Sequence, residues 1–195
     1  MSALAVLYNL APKARQQTIL ERVLQDEPLN VQPYFMHFIY AAPAHAVLFE
    51  RYAVAEIHKL QINSDSGTVR EMWTDGDYNH GWGGTPLIQM SSRILGVTPA
   101  APGFAKIAIR PQPCGLNFAR GTVPTPHGNV DGDWRREGAQ FTLKVTVPAG
   151  SSADVMLLVA GKQVSVDGIA QKAAKPGTAI PVAAGTHVVA VMAIS

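Results

Sequence analysis

Between Thr68 and Thr85 the chain concentrates residue types that do chemistry: Glu71, Asp75, Asp77, Asn79 and His80, interleaved with Trp73, Trp82 and four glycines. A carboxylate can act as a general acid or base, and imidazole and amide groups can bind hydroxyls. Tryptophan adds a broad apolar face against which the C–H face of a sugar ring can lie. The combination points to carbohydrate. The segment separates two stretches of helical periodicity and so reads as a loop, where a rigid scaffold commonly presents binding and catalytic groups.

Other chemistries fit the same loop less well. Asp75, Asp77 and Asn79 match the first alternating ligands of a calcium loop, but Pro86 stands where the twelfth-position Glu is required and the sixth position is not Gly. Gly81, Gly83 and Gly84 run into a helix start and could cradle an anion, yet no strand precedes them and no Lys-Ser or Lys-Thr follows. The bland alternative is a polar surface loop with Trp73 and Trp82 tucked into the core. Elsewhere, His45, His58, His127 and His187 lack the paired spacing of a zinc helix and read as structural. Cys114 stands between Pro113 and Gly115 without a neighbouring base, and no Gly-x-Ser-x-Gly elbow is present, so a serine or cysteine nucleophile has no support. No metal and no cofactor is called for.

The elements that must position the loop fall into two halves. Up to about Gly96 the apolar period is helical: Ile19 with Val23 and Leu20 with Leu24 stack at a spacing of four, and Leu48, Tyr52 and Ala55 continue the pattern. A helix after the loop is expected to be capped by Thr85, to carry Pro86 in its first turn, to bury Leu87, Met90 and Ile94 on one face, and to end at a left-handed Gly96. Pro99, Pro102 and Gly103 mark a boundary, after which the period becomes 2. Phe141, Leu143, Val145 and Val147 alternate with polar residues, and Val155 to Val159 reads as a strand covered on both faces. Turns are expected at Glu137-Gly138, Gly161-Lys162, Asp167-Gly168 and Gly185-Thr186.

Composition is permissive. The chain has 195 residues, 47% hydrophobic content and 15% charge, ordinary for a core-forming protein. A net charge of +2 with scattered Lys and Arg lacks the footprint of a nucleic-acid binder and suits an uncharged ligand. The apolar start Ala3 to Leu7 is too short to span a bilayer and has no basic residues before it, so it reads as a core helix rather than a membrane anchor or signal peptide. The compartment, cytoplasmic or exported, stays open.

Thr68-Val69-Arg70-Glu71-Met72-Trp73, Asn79-His80-Gly81-Trp82-Gly83 and Ser92 to Val97 resemble the end of the helical barrel of the bacterial α-L-rhamnosidase family. Ala101 to Phe104, Ile109 to Pro113, Trp134-Arg135-Arg136 and Phe141 to Pro148 resemble its C-terminal β-sandwich, and Pro33-Tyr34-Phe35 a segment lining the pocket. The resemblance implies a partial (α/α)₆ barrel of about five helices over residues 1–98, then an antiparallel β-sandwich over 99–195. It implies Glu71 as general base, and His80, Trp73, Asp75, Trp82, Asn79, Tyr34 and His37 around a rhamnoside. The reaction is inverting glycoside hydrolysis, which needs two carboxyl groups roughly 6.5–9.5 Å apart. The general acid is expected upstream of Met1, and this chain alone is expected to be inactive. Glu71 and His80 are nine positions apart, a shorter loop than many family members carry, which bears on sugar and aglycone preference. The alternatives are a related helical-barrel glycosidase of other specificity, or a non-catalytic sandwich that binds carbohydrate or braces a barrel. A barrel cut to five helices is expected to fold poorly alone, leaving a protease-stable fragment that starts near Pro99.

Overall fold

The computed structural model describes residues 2–25, 32–42, 67–72, 76–157, 161–172 and 175–193. The chain forms two compact units, residues 1–89 and 90–195. Among the described residues more lie in β-strands than in helices.

In the first unit, α1 (Ser2–Leu7), α2 (Lys13–Gln25) and α3 (Pro33–Ala41) share one apolar cluster. Ala3 and Val6 of α1, Leu20 of α2, and Met36 and Ile39 of α3 are buried there, with Ile19 and Val23 partly buried against them. The four-residue spacing read along α2 thus marks its apolar face. Gln16 closes the α1–α2 connection: its buried amide donates to the Ala11 carbonyl (3.1 Å) and to Asn9 Oδ1 (3.3 Å). Pro33 opens α3 from the first turn, where its missing N–H costs nothing.

The helix after the loop departs from expectation. It begins earlier, as a 3₁₀ turn at Gly81–Gly84, becomes α4 over Thr85–Gln89, and widens into a π-turn at Met90–Ile94, closed by the Leu95 N–H on the Met90 carbonyl (2.8 Å). Thr85 is therefore inside the helix rather than its cap. Ile94 is buried and Met90 half-buried, but Leu87 is 62% exposed. Gly96 does take the left-handed conformation (φ 84°), and a Cβ there would collide with the Arg110–Pro111 backbone. A five-helix partial barrel is not supported. Four α-helical segments occur among the described residues, and the helix expected through Leu48, Tyr52 and Ala55 lies outside them. No described helix is long and apolar enough to cross a membrane.

Among the described residues the second unit holds ten strands in two sheets, a sandwich-like arrangement. One sheet runs β1 (Val97–Pro99), β2 (Lys106–Ile109), β6 (Ser152–Met156), β9 (Ala179–Val182). The other runs β3 (Phe118–Thr125), β4 (Gly128–Glu137), β5 (Gln140–Val147), β10 (Gly185–Ala193), β7 (Gly161–Val166), β8 (Ile169–Gln171). Pairing is antiparallel except for β2 with β6, which run parallel, Ile107 opposite Ala153. β5 buries Phe141, Leu143, Val145 and Val147 as its alternation predicts. On the same face Trp134 stands opposite Leu143, which stands opposite Val189. Ile107, Ile109 and Val155 supply the apolar face of the smaller sheet.

Two details lock residues 94–96 to the large sheet. The Trp134 indole N–H donates to the Ile94 carbonyl (2.9 Å), with the ring fully buried and stacked on Phe141. Leu95 lies over Gly121 and Gly132, whose missing side chains make room for it.

Three strand readings need correction. The apolar run from Val155 is not covered on both faces: β6 starts at Ser152 and alternates, with Val155 buried and Met156 half-buried, because its register with β2 is set from Lys106 opposite Ser152. Its outer face carries the Lys106–Asp154 ion pair (2.7 Å). Gly161-Lys162 opens β7 instead of forming a turn, and Gly185 opens β10 opposite Val147, one residue past the bend. The Asp167-Gly168 hairpin turn is as read, with both residues at positive φ (52° and 79°), the conformation of a type I′ turn.

Candidate active-site loop

Thr68–Glu71 and Asp77–His80 fold back on each other as a short antiparallel pair. Arg70 faces Tyr78 across an isolated bridge, the Glu71 N–H donates to the Asp77 carbonyl (2.9 Å), and the His80 N–H donates to the Val69 carbonyl (3.4 Å). Arg70 also donates to the Tyr78 hydroxyl (2.7 Å) and covers its ring at 4.8 Å. Asn79 adopts a left-handed conformation (φ 60°), tolerated by Asn, and its N–H donates to Thr68 Oγ1 (3.2 Å). Glu71 stands at the turn end of this pair and His80 at its open end, yet their side chains approach to 3.9 Å.

Glycines determine how closely the parts approach. Gly76 (φ 85°) passes beside the Glu71 side chain: a Cβ there would lie 3.0 Å from Glu71 Cβ and 3.2 Å from Oε2. Gly83 is buried against the Arg70 carbonyl and Val69, and a Cβ would overlap that carbonyl and lie 3.0 Å from Val69 Cβ and Cγ2. The Gly83 N–H donates to the His80 carbonyl (3.0 Å), so the 3₁₀ turn folds directly onto the pair.

The result is a row of four side chains. His80 Nε2 lies 3.9 Å from Glu71 Oε1, its ring lies 4.0 Å from that of Trp82, and the Trp82 ring lies 5.0 Å from that of Tyr34 on α3. The Trp82 indole N–H donates to the Glu71 carbonyl (3.3 Å), fixing the ring relative to the carboxylate-bearing residue. A separation of 3.9 Å is too long for a direct hydrogen bond, yet it allows one ligand oxygen to touch both imidazole and carboxylate. His80 Nδ1 is buried and has no hydrogen-bond partner among the described residues. Tyr34 and Trp82 present half-exposed faces (51% and 39%), as a stacking surface for a ring requires.

The other sequence candidates are placed differently. His37 is turned toward α4, its Nδ1 3.0 Å from Thr85 Oγ1 and its ring edge-on to Phe38. Thr85, read from sequence as a cap, instead ties α3 to α4. Trp73 and Asp75 lie outside the described residues, as do His45 and His58. Among the described residues no three His, Cys, Asp or Glu side chains converge as a metal site requires. Gly76 and the Arg70–Tyr78 pair are not singled out by the sequence chemistry, and Gly83 enters there only as part of a candidate anion cradle. Their signal was the density of glycine beside the reactive types.

Residues 96–171 match the family model described as the bacterial α-L-rhamnosidase C-terminal domain. The chain is similar to the C-terminal portion of α-L-rhamnosidases. It is 36% identical over 106 residues to the α-L-rhamnosidase of Alteromonas sp. (strain LOR), covering 48% of this chain and 12% of that protein. In fold it is similar to α-L-rhamnosidase from Dictyoglumus thermophilum, with TM-score 0.73 and 20% identity over 98% of this chain and 25% of that one. It is also similar to the Streptomyces avermitilis α-L-rhamnosidase complexed with L-rhamnose, with TM-score 0.60 and 18% identity over 97% of this chain and 21% of that one. The chain thus spans about an eighth of the Alteromonas enzyme, and the rhamnosidase likeness is to a part.

Proposed function

We propose that this chain supplies the general base and part of the sugar pocket of an enzyme that hydrolyses terminal α-L-rhamnosides with inversion. The observation that carries the proposal is the row Glu71–His80–Trp82–Tyr34: a carboxylate and an imidazole spaced to share one ligand oxygen, beside two partly exposed aromatic faces. Glu71 would hold the attacking water and take its proton as the oxygen bonds to the anomeric carbon. His80 would contact the sugar hydroxyls, with Trp82 and Tyr34 against its C–H face and Trp73, Asp75, Asn79 and His37 completing the surround. The departing oxygen is protonated by a second carboxyl group, roughly 6.5–9.5 Å from Glu71, supplied by sequence upstream of Met1. In this proposal residues 1–98 close an (α/α)₆ barrel and residues 99–195 form its C-terminal sandwich.

The test is hydrolysis of an aryl α-L-rhamnoside by the upstream-extended protein, with the first-formed sugar followed by NMR. The expected product is β-L-rhamnose, and Glu71→Gln should lower kcat by about 10²–10⁴-fold with KM little changed. Wild-type turnover in that variant, or initial release of α-L-rhamnose, refutes the assignment.

A further inference from the structure

The outer face of the large sheet carries a groove of about 470 Å³ that the active-site proposal does not use. Its position is set by register. Gln140 on β5 stands opposite Met192 on β10, and Met192 stands opposite Gln163 on β7. One row along, Ala190 stands opposite Ser165, which stands opposite Ala170 on β8. The two glutamines therefore flank Met192 from strands two apart, roughly 10 Å at the usual inter-strand spacing. The small row of Ala190, Ser165 and Ala170 forms a floor beside them. A register shift between Met192 and Ala193 interrupts the ladder at this point, the kind of irregularity that re-aims side chains at sites.

The chemistry of the lining selects its occupant. Among the described residues no charged side chain lines the groove, so neither an anion nor a cation finds a counter-charge there. The Gln140 and Gln163 side chains are exposed and make no hydrogen bond among the described residues, which leaves each amide with two donors and one acceptor oxygen to offer. Hydroxyl groups, which both donate and accept, match that set. Met192 is 42% exposed between them, and its thioether is a soft apolar surface suited to a C–H face. The volume lies in the range of small-ligand sites, roughly 300–1,000 Å³. We propose that this groove is a binding site for a neutral saccharide, contributed by the sandwich and independent of the role assigned to Glu71.

The test is a titration of the ¹⁵N-labelled 195-residue chain with L-rhamnose, with cellotetraose, and with glycerol as a hydroxyl control. A saturable shift of the Gln140 and Gln163 side-chain amides by at least one saccharide, with none by glycerol, is expected. The Gln140→Ala, Gln163→Ala double variant, followed through the backbone amide of Met192 between the two positions, should bind that saccharide about tenfold or more weakly, the loss of one or two hydrogen bonds. Glu71→Gln should leave the shifts in place, so failure of the catalytic assignment and failure of this one are separable. Absence of saturable shifts with both saccharides, or shifts that survive the double substitution, overturns the proposal.

Discussion

Replacing Gly83 by Ala puts one methyl group where the 3₁₀ turn touches the strand pair. The added Cβ would overlap the Arg70 carbonyl and stand 3.0 Å from two carbons of Val69. Val69 can rotate, but the carbonyl belongs to the backbone that carries Glu71, so the turn itself must move away. Such overpacking costs about 1–3 kcal/mol. The displaced turn carries Trp82, whose indole N–H is anchored on the Glu71 carbonyl and whose ring supports His80. A shift of about 1 Å in groups that position a substrate can cost about 10²-fold in rate. The expectation is thus a fall of that order in kcat/KM on an aryl α-L-rhamnoside, measured in the upstream-extended protein. Gly81→Ala is the matched control, since a Cβ there meets nothing within 4 Å and its φ is not positive. It should stay within about 0.5 kcal/mol of wild type, as surface substitutions usually do. Equal effects from the two substitutions, or an unaffected Gly83→Ala enzyme, would refute the reasoning from close approach.

Trp134→Phe should destabilise the second unit by about 1–3 kcal/mol, because the buried Ile94 carbonyl loses its donor. Urea unfolding followed by circular dichroism should show a lower midpoint at unchanged slope, and an unmoved midpoint would remove the tether from the account. Asp167 is held below the ordinary carboxylate value first by the hydrogen bond from His187, then by the backbone N–H of Val188. Since the folded-state value is the lowered one, the stabilisation is present above about pH 3.9 and disappears as pH falls through the lowered value. The gap in Tm between wild type and Asp167→Asn should therefore close in acid, and a gap constant from neutral to strongly acidic pH contradicts the linkage. Limited proteolysis should leave a fragment that begins near Met90, since Ile94 and Leu95 are held by Trp134 and by Gly121 with Gly132. A stable core that starts beyond Pro99 would mean those contacts do not hold in solution.

What could be read from sequence was local. The period of β5 and the φ demands of Asp167-Gly168 and Gly96 involve neighbours a few residues away, and each appears where its residues place it. The misreadings came from partners far along the chain. Thr85 has the residue type of a cap, but His37, 48 residues earlier, holds its hydroxyl. The start of β6 depends on pairing with β2, which no pattern within 152–159 reports. The candidate loop was legible as a concentration of reactive types, whereas its geometry was not. The row through Glu71, His80, Trp82 and Tyr34 depends on a strand reversal and on Gly83, whose value lies in the side chain it lacks.

The parallel pairing of β2 with β6 also bears on the order in which the sandwich assembles. β3, β4 and β5 are joined by short turns and can zip as a meander while the chain is still open, because each closure spans only a few residues. Ile107 reaches Ala153 only after the intervening segment, which contains that whole meander, has folded back. Closing that long loop costs more chain entropy and is slower than any hairpin in the unit. The β2–β6 pairing is thereby expected after the meander, and substitutions at that pairing should speed unfolding more than they slow folding.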